Sequence, residues 1–254
     1  MTTVDTKTGL LLYGLVPADV EPTDDATGVG NPPTPVGVVA HGDIAALVSE
    51  VPVDRPLGRP DDLRAYKDLL DRVTGVAPVL PVRFGTVARD EAAVAELLGA
   101  RHDDYRRALD RVEGCAQYVV RARYDEPVVL AEALAGNAEA AALRDRLRGQ
   151  PEDALRDERI RLGELLNAEV SARRDADTQR LATELEPFCV AQSLRSPTSE
   201  LDAAHLAVLV KVDREADFEG MVQRIAADWD ERASVKLLGP LAPYDFVDQL
   251  MNGA

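Results

Sequence analysis

The chain is poor in aromatic side chains, cysteine, histidine and positive charge, and each shortage closes off a class of protein. Aromatics make up 4% of the 254 residues, so a core has to be assembled mostly from Leu, Val and Ala, a composition suited to helices packed on small sheets. Two cysteines, Cys115 and Cys189, stand far apart with no Cys-x-x-Cys spacing, which excludes a disulfide framework and makes a reducing cytoplasm the expected setting. Three histidines, His41, His102 and His205, form no HxH or HxxxH pair, so no zinc or iron site is expected. Lys and Arg number 29 against 45 Asp and Glu, a formal charge of −16. Nucleic-acid affinity rests on cations displacing counterions, and a chain this acidic is not expected to bind phosphate backbones. No apolar run approaches the ~20 residues a membrane-spanning helix needs. The short LLLYGLV run at 10–16 is also too brief for a signal-peptide core, so no membrane association is expected.

What remains is enough for two domains of ordinary size. In the first half, LLLYGLV reads as a buried strand, and the Pro-, Gly- and Asp-rich segment 17–35 reads as a solvated loop without packing. VGVVAHGDIAALVSEVP follows with two apolar runs split by His41, Gly42 and Asp43, a hairpin with strands at 36–41 and 44–51; a helix starting at Asp43 is the competing reading. Leu63, Tyr66, Leu69, Leu70 and Val73 then recur at helical spacing behind Pro60, with Asp61 and Asp62 against the N-terminal dipole, and Gly75 ends the helix.

APVLPVRFGT, residues 77–86, is the densest apolar run to carry a charge in its middle, and it reads as one strand. Pro81 cannot donate to a ladder and belongs at an edge or bulge. Arg83 is assigned first to a structural ion pair and second to a partner contact. Asp90 caps a further helix with a stripe from Val94 to Val112, which Gly99 is placed to interrupt.

From Cys115 the order is strand 115–124, helix 127–148, long helix 151–186, strands 190–194 and 204–212, helix 215–230, and a last strand reaching 244. That is β-α-β-β-α-β, a ferredoxin-like order whose first helical part is an elongated hairpin. The polar stretch SARRDADTQR at 171–180 is expected to stand partly in solvent. The fold class is therefore α+β with two domains, a modified ferredoxin-like domain at 1–114 and a ferredoxin-like domain with helical hairpin at 115–254. Tyr244 and Phe246, just past the last strand, either fold back, docking between the domains, or form an adhesive tail.

No catalytic constellation emerges. His41 and Asp43 have the composition of a general base and its partner, but no Ser or Cys nucleophile is placed to use them, so His41 reads as a turn residue. The pairs Asp24-Asp25, Asp61-Asp62 and Asp103-Asp104 lack the alternation of a calcium loop. Gly28 and Gly30 are not followed by the helix start a phosphate cradle requires. No catalytic, metal or cofactor residues are assigned. The candidate structural or partner contacts are Arg83, Phe84, Tyr244 and Phe246.

Taken together, the LLLYGLV strand, the VVAHGDIAALVSEVP hairpin, VLPVRFGT at 79–86 and GPLAPYDFV at 239–247 resemble the gas vesicle protein F/L family across both halves and in order. One departure is visible: the family often carries a histidine early in the helix before the VLP strand, where this chain has Tyr66 and Lys67. The resemblance implies a non-enzymatic accessory protein of gas vesicles, a minor component or assembly factor. Such a protein would bind the small, very apolar shell protein and other accessory proteins during nucleation, limiting shell-protein aggregation, in the cytoplasm and at the vesicle. The alternative is a regulatory or enzymatic α+β protein with a small-molecule pocket into which Arg83 and His41 converge; a third reading is a purely structural vesicle component.

Overall fold

The computed structural model describes residues 8–22, 26–54, 57–151 and 155–252. Asp24 and Asp25 lie outside them. The chain folds as a mixed α+β protein with two sheets. One compact unit comprises the residues up to Tyr118 together with 211–213 and 239 onward; the other comprises Val119–Val210 and Arg214–Leu238. Residues 115–118 and the C-terminal segment, which the sequence order gives to the second half, are thus grouped with the first.

In the first unit, strand β1 (Thr8–Pro17) runs through the middle of a sheet with β2 (Gly37–His41) and β3 (Ile44–Pro52), in the order β2-β3-β1. The expected hairpin forms, with His41 opposite Ile44 across the Gly42 turn. Leu11, Leu12, Tyr13, Leu15 and Val16 are all at most 1% exposed, so β1 is covered on both faces and reads as a continuous apolar run rather than an alternating one. Between Leu12 and Gly14 the register with β3 shifts, which makes Tyr13 the bulged residue of the ladder.

Helix α1 (Pro60–Thr74) begins with its proline at the first position, and Asp62 reaches back to accept from the N–H groups of Gly58 and Arg59 at 3.3 and 3.2 Å. Tyr66, Leu69 and Leu70 form its buried face and join Leu11, Tyr13, Val16 and Leu47 in one cluster; Leu63, assigned to that stripe from its spacing, is 46% exposed. APVLPVRFGT does not form a single strand. Leu80–Pro81 (β4) pairs with β1 at the sheet edge, as the proline requires; a turn follows, and Val87–Ala88 (β5) returns to pair with Leu10 and Leu11. Helices α2 (Glu91–Ala100) and α3 (His102–Val112) follow, the first capped by Asp90, whose carboxylate accepts from Ala93 N at 2.8 Å. The break falls at Arg101, two residues beyond Gly99.

The second sheet has the order β7-β8-β6-β9, from β6 (Cys115–Tyr124), β7 (Ala191–Leu194), β8 (Asp202–Lys211) and β9 (Ala233–Leu241). Between β6 and β7 run α4 (Glu126–Gly136), α5 (Ala138–Leu147) and the long α6 (Arg156–Leu185); α7 (Glu215–Trp229) separates β8 from β9. The helix expected over 127–148 is two, because the Asn137 side chain caps α5 by accepting from Ala140 N.

The polar stretch 171–180 of α6 stands partly in solvent, as expected, with Ala172, Asp175, Ala176, Gln179 and Arg180 exposed, but its centre turns inward. Asp177 is 8% exposed and accepts both terminal nitrogens of Arg232 at 2.9 and 2.8 Å together with the hydroxyl of Tyr124, while Arg174 donates to the carbonyls of Asp202 and Glu200. A bidentate guanidinium and a phenol satisfy the buried carboxylate, which is how a charge can sit on an inward helix face. Burial pushes the Tyr124 hydroxyl well up, and the Asp177 charge adds to the rise.

Asp202, at the start of β8, is fully buried. It accepts from Arg121 at 2.7 Å, from Thr198 N at 2.6 Å and from Ser199 N at 3.0 Å. Burial alone would raise its carboxyl; the Arg121 guanidinium and the Thr198 and Ser199 donors outweigh that and hold it below the usual carboxylate range. A depressed folded value adds stability that is present above the unfolded value of about 3.9 and is lost as the pH falls through the folded one. Arg121 is 39% exposed, which screens the pair and limits the effect. Asp202→Asn is therefore expected to cost about 1–2 kcal/mol at neutral pH and to flatten the acid limb of stability below about pH 4. Urea titrations of both proteins between neutral and acid pH measure this; parallel acid limbs contradict it.

Candidate functional site

The segments that carry the family resemblance meet on α1. Tyr66 projects from it toward β1, and its hydroxyl lies at hydrogen-bonding distance of the carbonyls of Tyr13 (2.8 Å) and Val82. The Tyr66 ring stacks on Tyr13 at 5.5 Å and meets Phe84 edge-on at 5.1 Å. Phe84 is presented by the turn after β4, where Gly85 has φ +86° and the Thr86 N–H and hydroxyl both donate to the Arg83 carbonyl. That left-handed position suits glycine and is what ends the strand early. Burial, reinforced by neighbouring Tyr13, pushes the Tyr66 hydroxyl well up, so it stays a neutral donor at any physiological pH.

The C-terminal segment docks on the same helix. Asp71 accepts from the Ala242 N–H at 2.9 Å, lies 3.3 Å from the Tyr244 hydroxyl, and pairs through its other oxygen with Lys67 at 2.9 Å. Burial raises the Tyr244 hydroxyl strongly, and the Asp71 charge adds to it. Gln117 and Asp245 exchange two hydrogen bonds, Gln117 Nε2 donating at 2.6 Å and Asp245 N donating back at 2.9 Å. Phe246 is fully buried, and helix α8 (Val247–Asn252), which the sequence reading did not include, is tied to α3 by Arg111 donating to the Leu250 carbonyl.

Phe84 and Tyr244 are thus brought together around the Tyr13–Tyr66 cluster, and Phe246 is buried in the same unit. The C-terminal aromatics fold back onto the first unit rather than forming a free tail. Arg83 stands apart from them. It is exposed, and its guanidinium makes no ion pair among the described residues, so the structural pairing expected for it is not formed.

Segment 17–35 is not the unpacked loop its composition indicates. Val29 is 1% exposed, its N–H donates to the Tyr13 hydroxyl at 2.6 Å, and that hydroxyl lies 2.7 Å from Ser49 Oγ. A Cβ on Gly28 would sit 2.0 Å from the same oxygen, so the segment can press onto Tyr13 only as glycine. Between this loop and α1 lies a cleft of about 720 Å³, whose charged lining is Asp61, Asp68, Asp71 and Arg72. Three carboxylates against one guanidinium give Gly28 and Gly30 no role as a phosphate cradle. Neither Arg83 nor His41 lines it, so the small-molecule site in which they converge is not formed there.

The sequence reading missed His102. Its Nε2 lies 2.8 Å from an Asp43 carboxylate oxygen without hydrogen-bond alignment, its Nδ1 lies 3.2 Å from Asp103, and its ring meets His41 edge-on at 6.0 Å. Asp43 is therefore engaged by α3, not by His41. Among the described residues no group of three or more His, Cys, Asp or Glu side chains is placed to hold a metal ion. Burial pushes both the Cys115 and Cys189 thiols up, the direction opposite to that of a reactive nucleophile.

Tyr66→Phe is expected to lower stability by about 1–2 kcal/mol through loss of a buried donor, and Tyr244→Phe by about half as much. Arg83→Ala should change stability by no more than about 0.5 kcal/mol. Urea unfolding with unchanged slope checks the ranking; an Arg83 effect as large as that of Tyr66 would contradict it.

The model for the family described as gas vesicle synthesis protein GvpL/GvpF matches residues 9–248. Gas vesicle protein F of Streptomyces sp. (strain CB03234) is 32% identical over 229 residues, covering 87% of this chain and 91% of that protein. Gas vesicle protein L of the same organism is also 32% identical, over 88% of this chain and 86% of its own length. The crystal structure of GvpF from Anabaena sp. PCC7120 superposes with a TM-score of 0.78 over 94% of this chain and 98% of that one; at 23% identity it attests the fold. A family match reaching from β1 into α8, with two relatives at 32% identity, establishes that this chain belongs to the GvpL/GvpF family of gas vesicle synthesis proteins.

Proposed function

We propose that this chain is a non-enzymatic accessory protein of gas vesicle assembly that binds the apolar shell protein while a vesicle is nucleated and limits its aggregation. The observation that carries the reading is the family match over residues 9–248, which takes in both halves and both specific segments, VLPVRFGT and GPLAPYDFV. The physical character of the chain supports it. A protein with a formal charge of −16 repels copies of itself, and a soluble complex with a sticky partner benefits from that. Among the described residues no helix is long and apolar enough to cross a membrane. Work in the cytoplasm and at the vesicle belongs to the same proposal.

Arg83 and the Phe84 turn are the contacts proposed for a partner, Arg83 because it is exposed and uncommitted, Phe84 because it is half-buried at the same turn. Tyr244 and Phe246 are proposed as structural. Co-expression with the shell protein and purification at low and moderate salt are expected to recover a complex, which Arg83→Ala weakens without unfolding the chain. Deletion in a gas-vesicle-producing host, scored by electron microscopy, is expected to give absent or small vesicles. Recovery of neither the shell protein nor an accessory partner, or normal vesicles in a host without a redundant paralogue, would sink the proposal. Retention in mature vesicles without any assembly defect would indicate a purely structural component.

A further inference from the structure

The turn at Pro17–Glu21, the segment Val76–Pro78 and one side of α3 enclose a groove of about 490 Å³ in the first unit. Its apolar part is Pro17, Val20, Val76, Ala77, Pro78 and Leu109. Val76 is 84% exposed, more than any other large apolar side chain among the described residues. An aliphatic group so placed adds nothing to the core and leaves its hydration cost unrelieved. The polar part is Asp19, Glu21, Asp110 and Glu113 against one cation, Arg106, which Asp110 already engages at 2.9 Å. Asp19, Glu21 and Glu113 are exposed and have no ion-pair partner among the described residues. The walls are set by backbone hydrogen bonds: Val76 N and Ala77 N donate to Val73 O, Val20 N to Pro17 O, and Ala18 N to Asp43 O. A groove held this way loses little freedom when occupied.

We propose that this groove docks a short basic amphipathic segment of a partner protein, with an aliphatic side chain laid on Val20 and Val76 and Lys or Arg side chains set against Asp19, Glu21 and Glu113. Charge complementarity selects the occupant. Unpaired carboxylates repel anionic membranes, nucleic acid and acidic peptides, and a small inorganic cation gains nothing from the apolar floor. The inference does not rest on the shell-protein reading, and its failure leaves that reading intact.

The probe is a fluorescein-labelled Lys/Leu peptide designed as an amphipathic helix, titrated with the full chain and followed by anisotropy. Its comparators are a scrambled peptide of the same composition and a Glu/Leu counterpart. The amphipathic basic peptide is expected to bind more tightly than the scrambled one, and the Glu/Leu peptide not at all. Each removed carboxylate should weaken binding about twofold, so the Asp19→Asn, Glu21→Gln, Glu113→Gln triple variant should bind about tenfold more weakly. Val76→Asp keeps the acidic rim and loses the apolar floor. If the triple variant fails circular-dichroism checks of folding, this single change at an exposed position decides the matter, with a several-fold loss expected. A control that removes the same charge elsewhere, Asp157→Asn, Asp175→Asn and Glu219→Gln, should bind like the parent. Equal binding of the scrambled peptide, equal losses in the control, or unchanged binding by both groove variants would overturn the proposal.

Discussion

The first unit depends on how Tyr13 is satisfied. A strand buried on both faces has no water to turn to, so each polar group along it must find a protein partner. Tyr13, bulged out of register with β3, gathers four of them. Its hydroxyl takes the Val29 N–H and lies against Ser49, while its carbonyl takes the Val82 N–H and faces the Tyr66 hydroxyl. Four segments distant in sequence are tied to this residue: the loop at 26–35, the strand β3, the helix α1 and the turn after β4. Loss of any of these contacts would leave a buried donor or acceptor exposed to an apolar interior, which costs more than the bond itself contributes.

The C-terminal segment is held by a similar accounting at lower burial. Asp71 and Gln117 supply the acceptors and donors that 242–245 needs after leaving β9, so a stretch with little regular structure of its own is ordered by side chains of the first unit. This explains why VLPVRFGT and GPLAPYDFV, separated by most of the chain, belong to one constellation: both are read by α1, through Tyr66 on one side and Asp71 on the other. On that helix Tyr66 supplies a donor that burial keeps neutral.

The second unit solves a different problem. Its long helix carries more charge than a core-facing helix ordinarily tolerates, and it docks by directing a carboxylate inward to a guanidinium and a phenol, with Arg173 and Arg174 reaching backbone carbonyls. Directional contacts of this sort fix the helix register where a smooth aliphatic stripe would allow sliding. Residues that bury their charges here leave the carboxylates elsewhere to face solvent, and those give the protein its acidic surface.

Period and punctuation were sufficient to locate most elements. The hairpin across Gly42, the helix entered through Pro60, the cap at Asp90, the strand 115–124 and the β-α-β-β-α-β order of the second half all follow from local stereochemistry, because turns, caps and amphipathic stripes are decided within a few residues. The family resemblance was likewise legible from short motifs. What the sequence could not contain was pairing across distance. The order inside 17–35 rests on a phenol that comes from a strand outside the segment. The splitting of 77–86 is decided by pairing with β1: Leu80 and Pro81 lie against Leu15 and Gly14, and after the turn at Gly85 the chain returns at Val87–Ala88 to Leu11 and Leu10. The burial of Asp177 needs Arg232, and the contact of His102 with Asp43 needs α3 folded against the hairpin. Arg83 shows the reverse case, a charge that composition surrounds with acidic residues and that the fold leaves without one. Local chain chemistry determined which elements form; only the tertiary structure decided which polar groups would be buried together, since that choice is set by satisfying hydrogen bonds between segments the sequence keeps apart.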